Sequence, residues 1–472
     1  MDNFKMQNTI KNNSYETVDA NNSENYMSAI DLELNRLFPT RNIKRVLFVV
    51  PPDGDAQMFN YETAKRGRYY NYPEYGFGII AAYLLRDGIE VRIINLNNEI
   101  LKACISSPSA ESFDFDSIWK SRVKNEIDAF NPDIIGLTCM FTQASASTSL
   151  VCAEIKCNYS NIPLALGGVH ITNCFMNSNE LQNILSDFNI VDLFFLFESE
   201  ISFRYFVQVV NRMFSEAGLS NLVFNTAAPR LFFSKREIPA EKDLDIIPAY
   251  ELMCVKEVSK YGVIGSFACL KEANARSATV IANRGCRGRC TYCSVRSFNG
   301  VGVRCRSVQS IIDELLLLRD KFGIDHIMWL DDDLLYEHKR AINLFNEMVR
   351  QNVGITWDCT NGIIATSCRE EVMAAAAESG CIGVNIGVES GNPVMLRKIK
   401  KPGGINNFIS AANVLRKFAS INSRVFLMIG FPGETYKMIM DTMNLAMEMD
   451  LDWNNITIFQ PLPNTPIFNE MV

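Results

Sequence analysis

Between residues 43 and about 215, short and wholly apolar runs alternate with longer stretches whose apolar residues recur every three to four positions. The runs are "RVLFVV" (45–50), "EVRIINL" (90–96), "DIIGLTC" (133–139), "PLALGG" (163–168) and "VDLFFLF" (191–197). Helical patterns separate them, among them "GIIAAYLLRDG", "SIWKSRVKNEIDAF", a run near 144–157, "NELQNILSDF" and "EISFRYFVQVVNRMF". Continuous apolar strands between helices predict a parallel sheet covered on both faces. Five such units predict an α/β, doubly wound, flavodoxin-like (Rossmann-type) domain. Ligands of such sheets meet the carboxyl ends of the strands. The loops "PPDGDAQ", "MFTQAS" and "GGVHIT" are therefore the informative ones.

A second alternation starts at 278, with strands "ATVIANRG", "HIMWLDD", "TWDCTNG", "GVNIGVES", "RVFLMIGF" and "NNITIFQPL". Helical patterns such as "VQSIIDELLLLRDKF" and "NNFISAANVLRKFA" lie between them. Six strands fall short of a closed eightfold barrel, so the expectation is a partial (β/α)6 TIM-like barrel, short of a last helix or a C-terminal cap. Residues 1–42 are polar with weak periodicity and read as a tail or a surface helix. Residues 216–275 hold no sustained period and read as an irregular connector. The division is then 1–42, 43–215, 216–275 and 276–472.

Composition narrows the chemistry. A net charge of -7 argues against a nucleic-acid partner held by phosphate contacts. The polar start "MDNFKMQNTIKNNSYE" has no apolar core of a signal peptide, and no apolar run reaches membrane-span length. Fourteen cysteines are thus expected to be free thiols in a reducing, cytoplasmic setting. There a tight cysteine cluster points to a metal or redox role.

Such a cluster stands in "NRGCRGRCTYCSV": Cys286, Cys290 and Cys293, directly after the first barrel strand. Loops at the carboxyl ends of barrel strands carry the chemistry. Gly285 and Gly288 allow close backbone approach to a bulky group, and Arg287 and Arg289 set positive charge beside the thiolates. Iron–sulfur clusters are usually held by four thiolates, so three leave one iron open to an outside ligand. A structural zinc would want a fourth protein ligand. The histidines available are His170, His326 and His338.

The C-x-x-x-C-x-x-C spacing, with Tyr292 before the last cysteine, resembles the radical S-adenosylmethionine (SAM) enzymes. The resemblance implies a [4Fe-4S] cluster on Cys286, Cys290 and Cys293, with SAM chelating the open iron. Its reductive cleavage would give a 5′-deoxyadenosyl radical. It also implies cofactor contacts from Tyr292, from Asp331, Asp332 and Asp333 in "WLDDDLL", from Glu389 and Ser390 in "GVESG", and from Gly430 and Gly433 in "GFPGET". A run of aspartates is also what a solvated helix start looks like, and "GFPGET" also fits a plain strand-to-helix turn. The matching segments, with "QPLPNTP", span roughly 276 to 470.

The first domain resembles the cobalamin-binding domains that precede some radical SAM barrels, through "PEYGFGIIAAYLLRDGIEV", "NPDIIGLTCMFTQ", "LALGGVHIT" and "VDLFFLFESEISF". That likeness implies a corrinoid tail along the sheet edge. Gly167 and Gly168 would leave it room, Thr138 and Thr142 would offer hydroxyls, and Met58, Phe59 and Met140 would form an apolar floor. Single glycine pairs and apolar loop residues are also ordinary turn and packing features. The D-x-H-x-x-G pattern that ligates cobalt is missing, since "DGDAQM" has no histidine.

The whole resemblance implies a cobalamin-dependent radical SAM enzyme, a methyltransferase acting on an unactivated carbon of a small-molecule or peptide natural-product-like substrate, with a flavodoxin- or ferredoxin-type reductant. A cyclase or oxidoreductase using both cofactors without methyl transfer, and a non-catalytic cobalamin- or cluster-binding sensor, are the alternatives.

Overall fold

The computed structural model describes residues 16–17, 23–225, 230–233, 235–271 and 274–472. The chain divides into two compact units: Met1–Pro239 with Ile246–Cys254, and Ala240–Asp245 with Val255–Val472.

The first unit is built on an eight-stranded sheet. Its strands are β1 (Glu16–Thr17), β2 (Arg45–Val50), β3 (Glu90–Asn95), β4 (Ile134–Thr138), β5 (Leu164–Gly167), β6 (Leu193–Phe195), β7 (Leu222–Asn225) and β8 (Arg230–Phe233). The order is β1-β8-β7-β6-β5-β4-β2-β3. From β3 to β6 every pairing is parallel. This is the flavodoxin-like order, with its switch point where the chain leaves β2 to either side. The apolar strands are buried between two layers. Trp119, Val123 and Ile127 cover one face, and Phe203, Phe206 and Val210 the other.

One segment departs from expectation. Within the presumed irregular connector, β7 and β8 form an antiparallel pair that extends the sheet beyond β6. Each is only four residues long, too short for a period to be read. Within residues 1–42, read from the sequence as a tail or a surface helix, the helix Ser23–Leu37 buries Ile30, Leu34 and Leu37, one face at helical spacing.

The second unit holds six parallel strands: β9 (Ser277–Val280), β12 (His326–Trp329), β13 (Thr356–Ile363), β14 (Cys381–Glu389), β15 (Asn422–Ile429) and β16 (Trp453–Ile458). They stand in sequence order, β16-β15-β14-β13-β12-β9, and the sheet stays open between β16 and β9. All six strands of the predicted partial barrel are present. A short helix, Pro466–Met471, follows β16. The run "ATVIANRG" is not one strand. It breaks after Val280, and the chain resumes as β10 (Asn283–Cys286), which pairs antiparallel with β11 (Gly302–Cys305). The break is held by Asp331, whose carboxylate accepts the N–H of Ala282 at 2.9 Å and of Asn283 at 2.6 Å.

Candidate active site

The β10–β11 hairpin presents the cysteine loop at the carboxyl end of β9. Gly285 takes φ +89°, and a Cβ there would stand 2.5 Å from the Gly302 carbonyl oxygen, so only glycine closes this hairpin. Cys286 is the last residue of β10, and a short helix, Val295–Asn299, begins just after Cys293. The Gly288 N–H points at the Cys286 Sγ at 3.3 Å. A Cβ on Gly288 would lie 3.3 Å from the Cys286 Sγ and 3.7 Å from the Cys290 Sγ, so two sulfurs crowd one bare glycine.

The three thiols are half-buried. Burial pushes Cys286 up to about 11 and Cys293 to about 12, and it raises Cys290 as well. A buried thiol resists ionising on its own, and a bound cationic cluster reverses that preference. This donor set suits an iron–sulfur cluster: three thiols, a backbone N–H directed at sulfur, and a glycine that leaves space between them.

The loop is tied down through both backbone groups of Thr291. Thr291 donates its N–H to the Ile399 carbonyl at 2.9 Å and accepts from the Ile467 N–H at 3.0 Å. Tyr292 packs into a small core of Met395, Ile399, Phe431, Phe459 and Ile467. Burial raises its phenol well above the usual value, and the charges of Glu389 and Cys290 add to that.

The aspartates after β12 divide their work. Asp331 is fully buried and serves the β9–β10 break described above; burial pushes its carboxyl up to about 7. Asp333 pairs with Arg287 of the cysteine loop at 2.9 Å, and Arg287 also reaches the carbonyls of Leu335 and Tyr336 and the Ser367 hydroxyl. Asp332 is half-buried, and its charge acts on both Cys286 and Cys293. Asp331 and Asp333 are thus bound up in shaping the loop, and Asp332 lies near enough to the thiols for its charge to act on them.

At the end of β14 the register slips between Gly387 and Glu389. Glu389 sits in the left-handed region at φ +66°. Side chains other than glycine pay for that conformation, and such strain gathers at functional sites. Its carboxylate meets the Lys401 ammonium at 2.9 Å, both nearly buried. The same ammonium lies 3.5 Å from the Tyr292 hydroxyl. Burial works to lower the Lys401 ammonium, but the charges of Glu389 and Cys290 outweigh it and hold it raised.

Lys401 is a site residue that sequence reading missed. Four cations crowd the five residues of "RKIKK", and nothing in their spacing marks the one that turns inward. Ser390 is fully buried and faces Thr442, 3.4 Å between hydroxyls, while the Thr442 hydroxyl accepts the Gly391 N–H at 2.9 Å. That residue shapes the turn. Gly430 (φ +88°) and Gly433 (φ +75°) form a turn that Glu434 closes, accepting the Gly430 N–H at 2.6 Å.

In the first unit the loops named above do gather at the carboxyl ends of β2, β4 and β5. Met58, Met140 and Phe141 are exposed there. Phe59 instead packs inward, stacked on Tyr69 and Phe113. Thr142 lies 3.2 Å from His170 Nδ1, and His170 is buried against Cys174. Thr138 ends β4 opposite Gly167. The two glycines have an internal reason to lack side chains. A Cβ on Gly168 (φ +112°) would stand 2.3 Å from the Cys139 carbonyl oxygen, and one on Gly167 would stand 3.0 Å from that of Phe195. Asp53, in the loop after β2, is pushed up to about 6 by burial.

Comparison with known proteins agrees with this geometry. Residues 280–446 match the radical SAM superfamily, and residues 66–182 match the B12 binding domain. The chain is a radical SAM protein with a B12-binding domain. This radical SAM protein is 26% identical over 427 residues to an uncharacterized methyltransferase of Pyrococcus horikoshii, covering 90% of this chain and 83% of that one. It is 24% identical to cytidylyl-2-hydroxyethylphosphonate methyltransferase of Streptomyces wedmorensis, covering 92% and 82%. Among solved structures, radical SAM methyltransferase TsrM of Kitasatospora setae, with cobalamin and a [4Fe-4S] cluster bound, superposes with a TM-score of 0.69. The identity is 18%, and the match covers 91% of this chain and 77% of that one. At that identity the likeness is one of fold. Among the described residues, no helix is long and apolar enough to cross a membrane.

Proposed function

We propose that this radical SAM protein is a cobalamin-dependent methyltransferase acting on a carbon of a small molecule. The observation that carries the reading is the cysteine loop: three half-buried thiols, two of them against Gly288, on a loop whose Tyr292 meets the buried Lys401 that pairs with a strained Glu389. When bound, the cluster with SAM supplies a hydrogen-abstracting radical, and cobalamin supplies the methyl group.

The residues of this chain do the rest. Cys286, Cys290 and Cys293 hold the cluster, and Arg287 braces the loop against Asp333. Asp332 and Glu389 offer carboxylates to the cationic amino group and the ribose hydroxyls of SAM. Lys401 balances the negative charge of thiolates and Glu389. Tyr292 and Phe431 wall the cluster loop from water. In the other unit, Met58, Met140 and Phe141 give a flat macrocycle an apolar surface at the switch point, where such sheets bind ligands.

The test begins with protein made without oxygen and with hydroxocobalamin supplied. About four iron and four sulfide with one corrinoid per chain is expected, followed by 5′-deoxyadenosine on reduction with SAM. Iron without corrinoid overturns the methyltransferase reading. A product with no added methylene assigns the chain instead to cyclisation or oxidation with the same cofactors.

A further inference from the structure

The chain carries net negative charge, yet the surface beside the cysteine loop is basic. After β14 the helix Pro393–Lys398 runs into the segment 399–404. A groove of about 470 Å³ opens there, lined by Arg397, Lys400 and Lys401 among others. Arg397, Lys398, Lys400 and, from the cysteine loop, Arg289 are exposed. Among the described residues, Arg289, Arg397 and Lys400 take part in no ion pair, whereas the nearby carboxylates are engaged: Glu389 by Lys401 and Glu434 by the Gly430 N–H.

The segment 399–404 that carries part of the groove also passes the cysteine loop. A Cβ on Gly288 would lie 3.4 Å from Pro402. Thr291 is hydrogen-bonded to Ile399. Lys401 lines the groove on one side, and on the other its charge is felt by Cys290 and Cys293. A partner seated here stands against the outer wall of the cluster loop.

We propose that this groove, with Arg289, Arg397, Lys398 and Lys400, is the docking surface of an acidic one-electron carrier protein of the flavodoxin kind. This rests on the proposed function, whose chemistry consumes an electron for each SAM cleaved. The carrier's flavin hydroquinone loses one electron to become the semiquinone, and the cluster gains that electron; no bond is made or broken. Complementary charge of this sort speeds encounter and fixes orientation, and electron-transfer contacts are small and weak. Unpaired cations around a shallow groove meet both needs.

The experiment measures binding of an acidic bacterial flavodoxin to the reconstituted holoenzyme by calorimetry. At about 50 mM salt, Arg397→Glu/Lys400→Glu should weaken binding about tenfold or more, and raising salt to about 500 mM should weaken the wild type and narrow that gap. Lys400 has φ +51°, so Arg397→Gln/Lys400→Asn, with a residue that tolerates that conformation, provides a second variant and an intermediate loss. With dithionite as reductant, 5′-deoxyadenosine formation should match the wild type in both variants; with flavodoxin it should fall. Equal flavodoxin affinity in wild type and both variants overturns the proposal. So does preferential binding of transfer RNA at this patch. Should dithionite yield no 5′-deoxyadenosine from the wild type while the binding loss persists, the docking surface stands and the methyltransferase reading falls.

Discussion

Lys401→Met removes the ammonium from a nearly buried pair and leaves the Glu389 carboxylate alone. The two groups are 2.9 Å apart, with side chains 10% and 11% exposed. At an effective dielectric of about 20, that separation corresponds to a gross attraction of about 6 kcal/mol. Desolvation of both ions offsets much of it, so the pair adds little net stability. Removing one partner is another matter, since the orphaned charge then costs about 3–5 kcal/mol. The conservative removal of both, Glu389→Gln/Lys401→Met, restores a neutral site and should recover about half or more of that loss. The assay is urea unfolding of apo-protein, with wild type, both single variants and the double variant forming one cycle. A coupling of about 2 kcal/mol or more supports the reasoning. If Lys401→Met unfolds within about 0.5 kcal/mol of wild type, or the two single losses simply add, the pair is solvated and the reasoning fails.

Three further outcomes follow from the geometry. Asp331 has its folded carboxyl raised from 3.8 to about 7, so the folded state keeps a proton that the unfolded chain releases in that window. Stability therefore falls as pH rises through it, by up to about 1.4 kcal/mol per pH unit, and Asp331→Asn should flatten that slope while losing stability at pH near 5, where one backbone N–H goes unpaired. Gly168→Ala should cost at least about 3 kcal/mol from strain and overlap with Cys139, whereas Gly88→Ala, with φ +77° but open space around it, should cost only about 1; thermal melts compare them. Iodoacetamide labelling of Cys286 and Cys293 in apo-protein should be slow at neutral pH and rise about tenfold per pH unit, because burial keeps both thiols protonated; rapid labelling near pH 7 would contradict the buried loop.

The architecture was legible because its signal is repetitive. Apolar runs such as "RVLFVV" and "DIIGLT" are buried on both faces, and their alternation with amphipathic helices admits few folds. The cysteine spacing was legible too, since few chemistries want three thiols in eight residues. Side-chain roles were harder to read. Asp331, Asp332 and Asp333 are identical letters, but the chain turns between them and sends one to the backbone, one beside the thiols and one to Arg287. Gly167 and Gly168 also sit where backbone approaches backbone closely, a packing demand that a glycine pair does not announce in the sequence. Lys401 was hidden because lysines are rarely buried, and its partner lies on another element.

The tether from Thr291 to Ile467 sets an order of events in the cell. The three cysteines leave the ribosome well before the helix Pro466–Met471 that braces them. The sheet grows strand by strand, each new strand landing on the one before it, so most of the barrel is able to form during synthesis. The wall around Tyr292 forms later, because Phe431, Phe459 and Ile467 come well after the cysteines in the chain. Iron inserted earlier would meet an open loop with exposed thiols, prone to oxidation or exchange. The fold thus delays a safe cage for the cluster until the helix Pro466–Met471 is in place, which makes metal loading a step that follows the synthesis of that helix.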